Sequence, residues 1–393
     1  MRLRMFRRYR TVAFICLSES AGGLELTTVR LAVECRSRGA RPLVIGPPGS
    51  SLERIAGAEG IPFEALRSRV KYGDLPAAMR LAALMRIHAT EIAVLMRSQD
   101  IHLAALARLS RRMPHIVFYQ QMQSGLAKRD PLHTWVYARI DRWLTLTARM
   151  RDDVVQFTHM PADRIDVVPL GRDTTAFHPE VIARRDARKA LSLPERRLVV
   201  GMLGRLDPQK GQDDLLRAAS VVLAKYPRAL FLLMGDETRN EPGERTRLEA
   251  LIRSLEIGSA VRMLPGTDDV RPFLASLDLF VMPSHAETYG LVLIEAMAMG
   301  RPVIATDAGG VPEIVRDGVD GLLVPPRDPK ALAAAMLRLA GDAHLRRTYG
   351  HAARTRACDA FDAARCADLF VEAVDRLPFS RIRPPAGTAR PGR

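Results

Sequence analysis

With 393 residues, 47% of them hydrophobic, the chain is long enough for two cores and too apolar to be disordered. Its formal charge of +15 invites an anionic partner, but aromatics make up only 5% and no basic-aromatic platform stands out, which argues against nucleic acid. No run of about 18 uninterrupted apolar residues is present, so no membrane-spanning helix is expected.

In chain order, the opening MRLRMFRRYR passes directly into a strand-like run at 11–17. A signal peptide needs a longer apolar region and a small-residue cleavage site, so a cytoplasmic location is expected. SESAGGLE follows, with Gly22 and Gly23 opening a predicted helix over 26–39. That pair can admit a ligand close to the backbone, or simply make a turn. Further strands are predicted at 41–46, 61–66, 91–96, 115–121, 143–147 and 165–171, with helices such as 75–89 between them. Short β-branched runs alternating with amphipathic segments are the pattern of parallel α/β sheets. The strand HIVFYQQ ends in Gln120 and Gln121, followed by Gln123. An amide orients hydroxyls but is neither acid nor base. His133 falls in a predicted helix, where a structural role is the simpler reading. Cys16, Cys35, Cys358 and Cys366 have no metal-ligand spacing and read as buried reduced thiols.

The pattern lapses around 174–194 and resumes with strands at 197–204, 228–236, 260–266, 278–284, 301–307 and 321–326, separated by helices at 213–226, 244–257 and 291–300. The expected organisation is two doubly wound Rossmann-like α/β domains, 1–180 and 181–377, with a helical stretch closing the second and a disordered Pro-, Gly- and Arg-rich basic tail at 378–393. Ligands of such sheets bind at the carboxyl ends of strands, so two facing domains would define a cleft between them. Residues 1–180 hold 27 Lys and Arg against 17 Asp and Glu, whereas 181–393 hold 32 against 27, which puts most of the basic field in the first half. Such a field suits phosphorylated or membrane-surface ligands, with the arginines of positions 2–10 and the 75–89 helix as lipid-contact candidates.

Two stretches of the second half carry chemistry. In GMLGRLDPQKGQDDLL a strand ends at Gly204, and Arg205 and Lys210 follow in a punctuated loop before a helix that Asp213 helps to begin. An arginine fork and a lysine point charge at a strand end suit a diphosphate; a solvated turn is the plainer alternative. The loop is not a Walker motif. In AETYGLVLIEAMAMG, Glu287 and Glu295 flank Gly290, where a strand has ended and a helix begins. The amides of Gly290, Leu291 and Val292 are then unpaired donors that can cradle a diphosphate. Two carboxylates beside phosphate repel it, so they would accept from hydroxyls of a sugar and of a ribose.

Together the Gly-Gly loop, GRLDPQKG and PSHAETYGLVLIEAMAMGRPVIATDAGGVPEIV, followed by DGVDGLLVPP, resemble the retaining family-four glycosyltransferases of the GT-B fold, also described as glycosyl transferases group 1. The resemblance covers the second domain and the first loop. It implies that Arg205 and Lys210 hold the diphosphate of a nucleotide-sugar donor, Glu287 the sugar hydroxyls, and Glu295 the ribose, with Gly22, Gly23, Gly204, Thr288, Tyr289, Gly290, Leu291 and Val292 lining the donor site. Tyr289 stands where the family often has Phe. Many members carry a His at an N-terminal-domain strand end where this chain has glutamines, and Gln121 takes the catalytic-side position. The implied reaction is front-face transfer with retention to a hydroxyl of a glycan or lipid-linked acceptor in cell-envelope polysaccharide or glycolipid synthesis. It would need no cofactor and no metal, and would include peripheral contact with the inner face of the cytoplasmic membrane. A non-catalytic nucleotide-sugar-binding protein and a sugar-nucleotide epimerase remain alternatives; a dehydrogenase lacks its Gly-x-Gly-x-x-Gly. Nucleotide base, sugar, acceptor and oligomeric state are not legible.

Overall fold

The computed structural model describes residues 4–7, 10–20, 22–70, 72–110, 113–123, 127–237 and 243–377; the expected disordered tail lies outside them. Each predicted strand is found. The first sheet is built from β1 (Thr11–Ile15), β2 (Arg41–Gly46), β3 (Phe63–Ala65), β4 (Ile92–Leu95), β5 (His115–Gln120), β6 (Arg142–Thr145) and β7 (Ile165–Val167). Its order is β3-β2-β1-β4-β5-β6-β7, all parallel. The second is built from β8 (Val199–Leu203), β9 (Leu230–Met234), β10 (Val261–Leu264), β11 (Leu279–Met282), β12 (Val303–Thr306) and β13 (Leu322–Val324), in the order β10-β9-β8-β11-β12-β13, again all parallel. Helices cover both faces of a parallel sheet, which is why IAVL of β4 and LFLLM of β9 are buried without interruption.

The strand order reverses between β1 and β4 in one sheet and between β8 and β11 in the other. Loops leaving neighbouring strands there diverge to opposite faces and open a crevice at the carboxyl edge. Of the functional candidates, Gly22 follows β1, Gly204 and Arg205 follow β8, and Glu287 follows β11.

The chain forms two units, one ending at Pro169 and taking in the chain again from Ala364, the other spanning Leu170–Ala363. Both boundaries differ from the expected 180 and 377. The segment after Leu170 belongs to the second unit, where the Arg172 amide donates to the Phe361 carbonyl at 2.8 Å. The final helix, Ala363–Asp375, expected to close the second unit, packs on the first. Its Phe370 ring lies 6.2 Å from those of Phe14 and Tyr119, and Asp368 accepts from the fully buried Arg38 at 2.9 Å. Its acidic residues also account for the N-terminal arginines. Arg4 pairs with Glu372 at 3.1 Å, and the buried Arg10 lies 3.6 Å from Asp375. Those two arginines are tied to protein rather than presented to lipid; Arg2 and Arg8 lie outside the described residues.

Candidate active site

In the second unit β8 runs into Gly204, Arg205 and a turn of 3-10 helix at Pro208–Lys210, held by Asp207, whose carboxylate accepts from the Gln209 amide at 2.9 Å. Gly211 follows with φ +77°, and a Cβ there would meet the Pro283 carbonyl oxygen at 2.0 Å. Only glycine lets the β8 loop lie this close to the β11 loop. The two loops are also joined by the His285 amide, which donates to the Gln209 carbonyl at 2.8 Å, and by His285 Nε2 at 2.8 Å from Asp214 Oδ2. Lys210 is thereby delivered to Glu287, and its Nζ donates to Oε2 at 2.7 Å.

The backbone of Glu287 is held from a third loop. Gly309 has φ +58°, a Cβ on it would overlap the Glu287 carbonyl oxygen at 1.7 Å, and the Gly310 amide donates to that oxygen at 3.1 Å. Gly290, with φ +88°, starts the helix Leu291–Ala298. The amides of Leu291 and Val292 stand in its first turn, where no acceptor exists within the helix and the macrodipole is positive. Glu295 is almost buried and accepts from Arg172 Nε at 2.6 Å. A lysine, a helix N-terminus and two anchored carboxylates therefore share the carboxyl edge of one sheet. This arrangement can bind an anionic group and the hydroxyls beside it.

Arg205 follows Gly204 and is 63% exposed, with Asp207 at 3.8 Å. Gly204 faces open space and Thr288 is half-buried. Tyr289 departs from the expectation: its ring is buried edge-on to Phe361 at 6.4 Å, and its hydroxyl donates to the Leu170 carbonyl at 2.9 Å. That side chain is committed to packing.

Gly22, Gly23 and the glutamines line a cavity of about 910 Å³ in the first unit, at the carboxyl edge of its sheet. Gly22 is extended and its amide donates to Glu25 Oε2 at 2.9 Å; a Cβ at Gly23 would meet nothing. Gln120 is held at both ends, donating to the Met122 carbonyl at 2.8 Å and accepting from Trp143 Nε1 at 2.8 Å. Gln121 Nε2 is buried without a partner, and Gln123 donates to Asp153 at 2.9 Å. His133 Nδ1 lies 2.5 Å from Asp130 at the start of the Pro131–Tyr137 helix. Near this loop, burial pushes the Asp100 carboxyl up to about 6, against the pull of Arg97 and the Leu17 amide.

Residues 183–356 match the family model "Glycosyl transferases group 1", and residues 22–171 match "Glycosyl transferase 4-like domain". The chain belongs to the group 1 glycosyltransferases. D-inositol 3-phosphate glycosyltransferases are among this chain's relatives. The protein of that name from Salinispora arenicola is 35% identical over 234 residues, 57% of this chain and 52% of that one. The one from Acidothermus cellulolyticus is 39% identical over 210 residues, 52% and 46% of the two chains. The chain thus spans about half the length of the curated relatives it matches. Among solved structures, Anabaena HepE in complex with UDP superposes with a TM-score of 0.83 at 23% identity, over 93% of this chain and 100% of that one. A Rickettsia africae glycosyltransferase gives 0.84 at 19% identity, over 93% and 98%. The fold of the chain is GT-B.

Sequence reasoning missed several residues that build the site. Arg172 reaches Glu295 across 123 positions, a pairing no local motif announces. Gln212 is 1% exposed and donates to the Arg205 carbonyl at 2.7 Å, while its Oε1 has no partner. Its signal was available: a polar residue directly after the constrained Gly211.

Proposed function

We propose that the protein transfers a glycosyl unit, with retention, from a nucleotide-diphosphate sugar to a hydroxyl of a lipid-linked or glycan acceptor in cell-envelope synthesis. The observation that carries this reading is the Lys210–Glu287 pair at 2.7 Å beside the Gly290 helix start. Lys210, Arg205 and the amides of Leu291 and Val292 would neutralise charge growing on the leaving diphosphate. Glu287 would hold hydroxyls of the donor sugar and Glu295 those of the ribose, while Gln121 orients the acceptor. This set of cations and amides takes the place of a metal ion, so none is required. That HepE was solved with UDP and with UDP-glucose supports uridine as the first base to try.

Peripheral contact with an anionic membrane is part of the proposal. The helix Leu75–Ile87 exposes Leu75, Met79 and Ile87 together with Arg80 and Arg86, an apolar and basic combination suited to a headgroup layer. No helix among the described residues is long and apolar enough to cross a membrane.

The test is a screen of UDP-, GDP- and ADP-sugars by calorimetric binding and nucleotide release. One donor should bind and be turned over, and both Lys210→Ala and Glu287→Ala should abolish turnover while remaining folded. Failure of the intact protein to bind any of the donors would overturn the proposal.

A further inference from the structure

The cavity of the first unit differs from the donor site in kind. Its floor is aromatic: Trp143 is met edge-on by Phe118 at 4.9 Å and by Tyr137 at 5.0 Å, and all three are at most 5% exposed. Met96, Ile101, Val154 and Phe157 continue this apolar lining. Its charges cancel, since Arg97 and Lys128 are matched by Glu25 and Asp153. Arg97 donates to the Leu17 carbonyl and to Gln99 at 2.9 Å and lies 3.2 Å from Asp100, while its Nε is buried without a partner. Among the described residues of the lining, a doubly charged phosphate finds no surplus of cations.

Three polar atoms in the lining are buried without partners: the Gln121 Nε2 and Arg97 Nε donors and the Glu25 Oε1 acceptor. Glu25 is 1% exposed, and its other oxygen is occupied by the Gly22 amide. Native proteins satisfy nearly all such groups through protein, water or ligand, so these atoms are open to a ligand that enters the cavity. A hydroxyl oxygen accepts from Gln121, and a hydroxyl proton goes to Glu25. The volume of about 910 Å³ exceeds what one sugar ring fills and lies at the upper end of small-molecule sites.

We propose that this cavity binds an amphipathic acceptor, a hydroxyl-bearing head on an apolar body, rather than a free or phosphorylated polyol. Calling the ligand an acceptor rests on the transferase reading above; the apolar preference does not. Glu25 and Gln121 select the head by opposite hydrogen-bond polarity, and the aromatic floor selects the body.

The experiment uses the full chain carrying Trp135→Phe, so that Trp143, the other of its two tryptophans, is the sole reporter. Octyl β-glucoside below its micelle concentration, methyl β-glucoside and inositol 3-phosphate are titrated against Trp143 fluorescence. Octyl glucoside should bind at least about tenfold more tightly than methyl glucoside, as burial of several methylenes requires. Glu25→Gln, whose carbonyl can still accept from Gly22, and Gln121→Ala should each weaken it about fivefold or more, with UDP affinity unchanged. Equal affinity for the two glucosides, tighter binding of inositol 3-phosphate, or octyl glucoside binding indifferent to both substitutions would overturn the proposal. Loss of UDP binding with octyl glucoside binding intact would sink the transferase reading and leave this one standing.

Discussion

The two carboxyl edges solve the same topological problem in opposite ways. In the second unit the charged groups are mutually engaged, Lys210 with Glu287, Glu295 with Arg172 and His285 with Asp214, and glycines in left-handed conformation hold the loops together. In the first unit Gly22 and Gly23 are unconstrained, the floor is aromatic, and polar atoms are left without partners. A diphosphate site is constant in chemistry and demands rigid, preorganised charge. An acceptor site varies with its ligand and is built from shape and a few hydrogen bonds.

The largest expected effect tests whether the paired charges are catalytic or merely structural. Lys210→Ala and Glu287→Ala should each lower kcat by about 10²- to 10³-fold, and the double variant should cost little more than either alone, because the two side chains act as one unit. Nucleotide-release kinetics read this directly; losses below tenfold that add fully would make the pair an ordinary ion pair.

Next comes the contrast in glycines. Gly309→Ala forces a Cβ onto the Glu287 carbonyl at left-handed φ and should cost about 2 kcal/mol or more, a fall in Tm of roughly 5 °C. Gly23→Ala, with open space around the added methyl, should leave Tm within about a degree. Equal effects in thermal melts would erase the distinction between the loops.

The smallest effect is electrostatic. Burial raises the Asp100 carboxyl to about 6 in the folded protein, above its unfolded value near 4. Its favourable contribution is therefore complete below pH 4 and is lost as pH climbs from 4 through 6. Asp100→Asn, which keeps an oxygen for the Leu17 amide, should match the parent near pH 4 and exceed its stability at pH 7, by at most about 3 kcal/mol. Melts across that range check it, and a flat difference would mean that Arg97 fully compensates the buried charge.

The strands were legible throughout because apolar runs such as RPLVIG and ALFLLM are what a sheet buried on both faces requires. The loops proposed to hold the donor were legible because Gly, Lys and Glu stand at short spacings along single chain segments. By contrast, Tyr289 reads as a ligand-facing residue until its hydroxyl is seen on Leu170, and the last helix reads as part of the second unit until Phe370 is seen beside Phe14. The amino-acid sequence alone determined two parallel α/β sheets, their family and the charged loop of the second. Tertiary structure alone decided that Arg172 anchors Glu295, that Glu372 and Asp375 hold Arg4 and Arg10, and that Glu25, Gln121 and Trp143 line one cavity. The reason is distance along the chain: periodicity and loop chemistry act over a few residues, whereas these contacts join positions tens to hundreds apart and exist only once the sheets have formed.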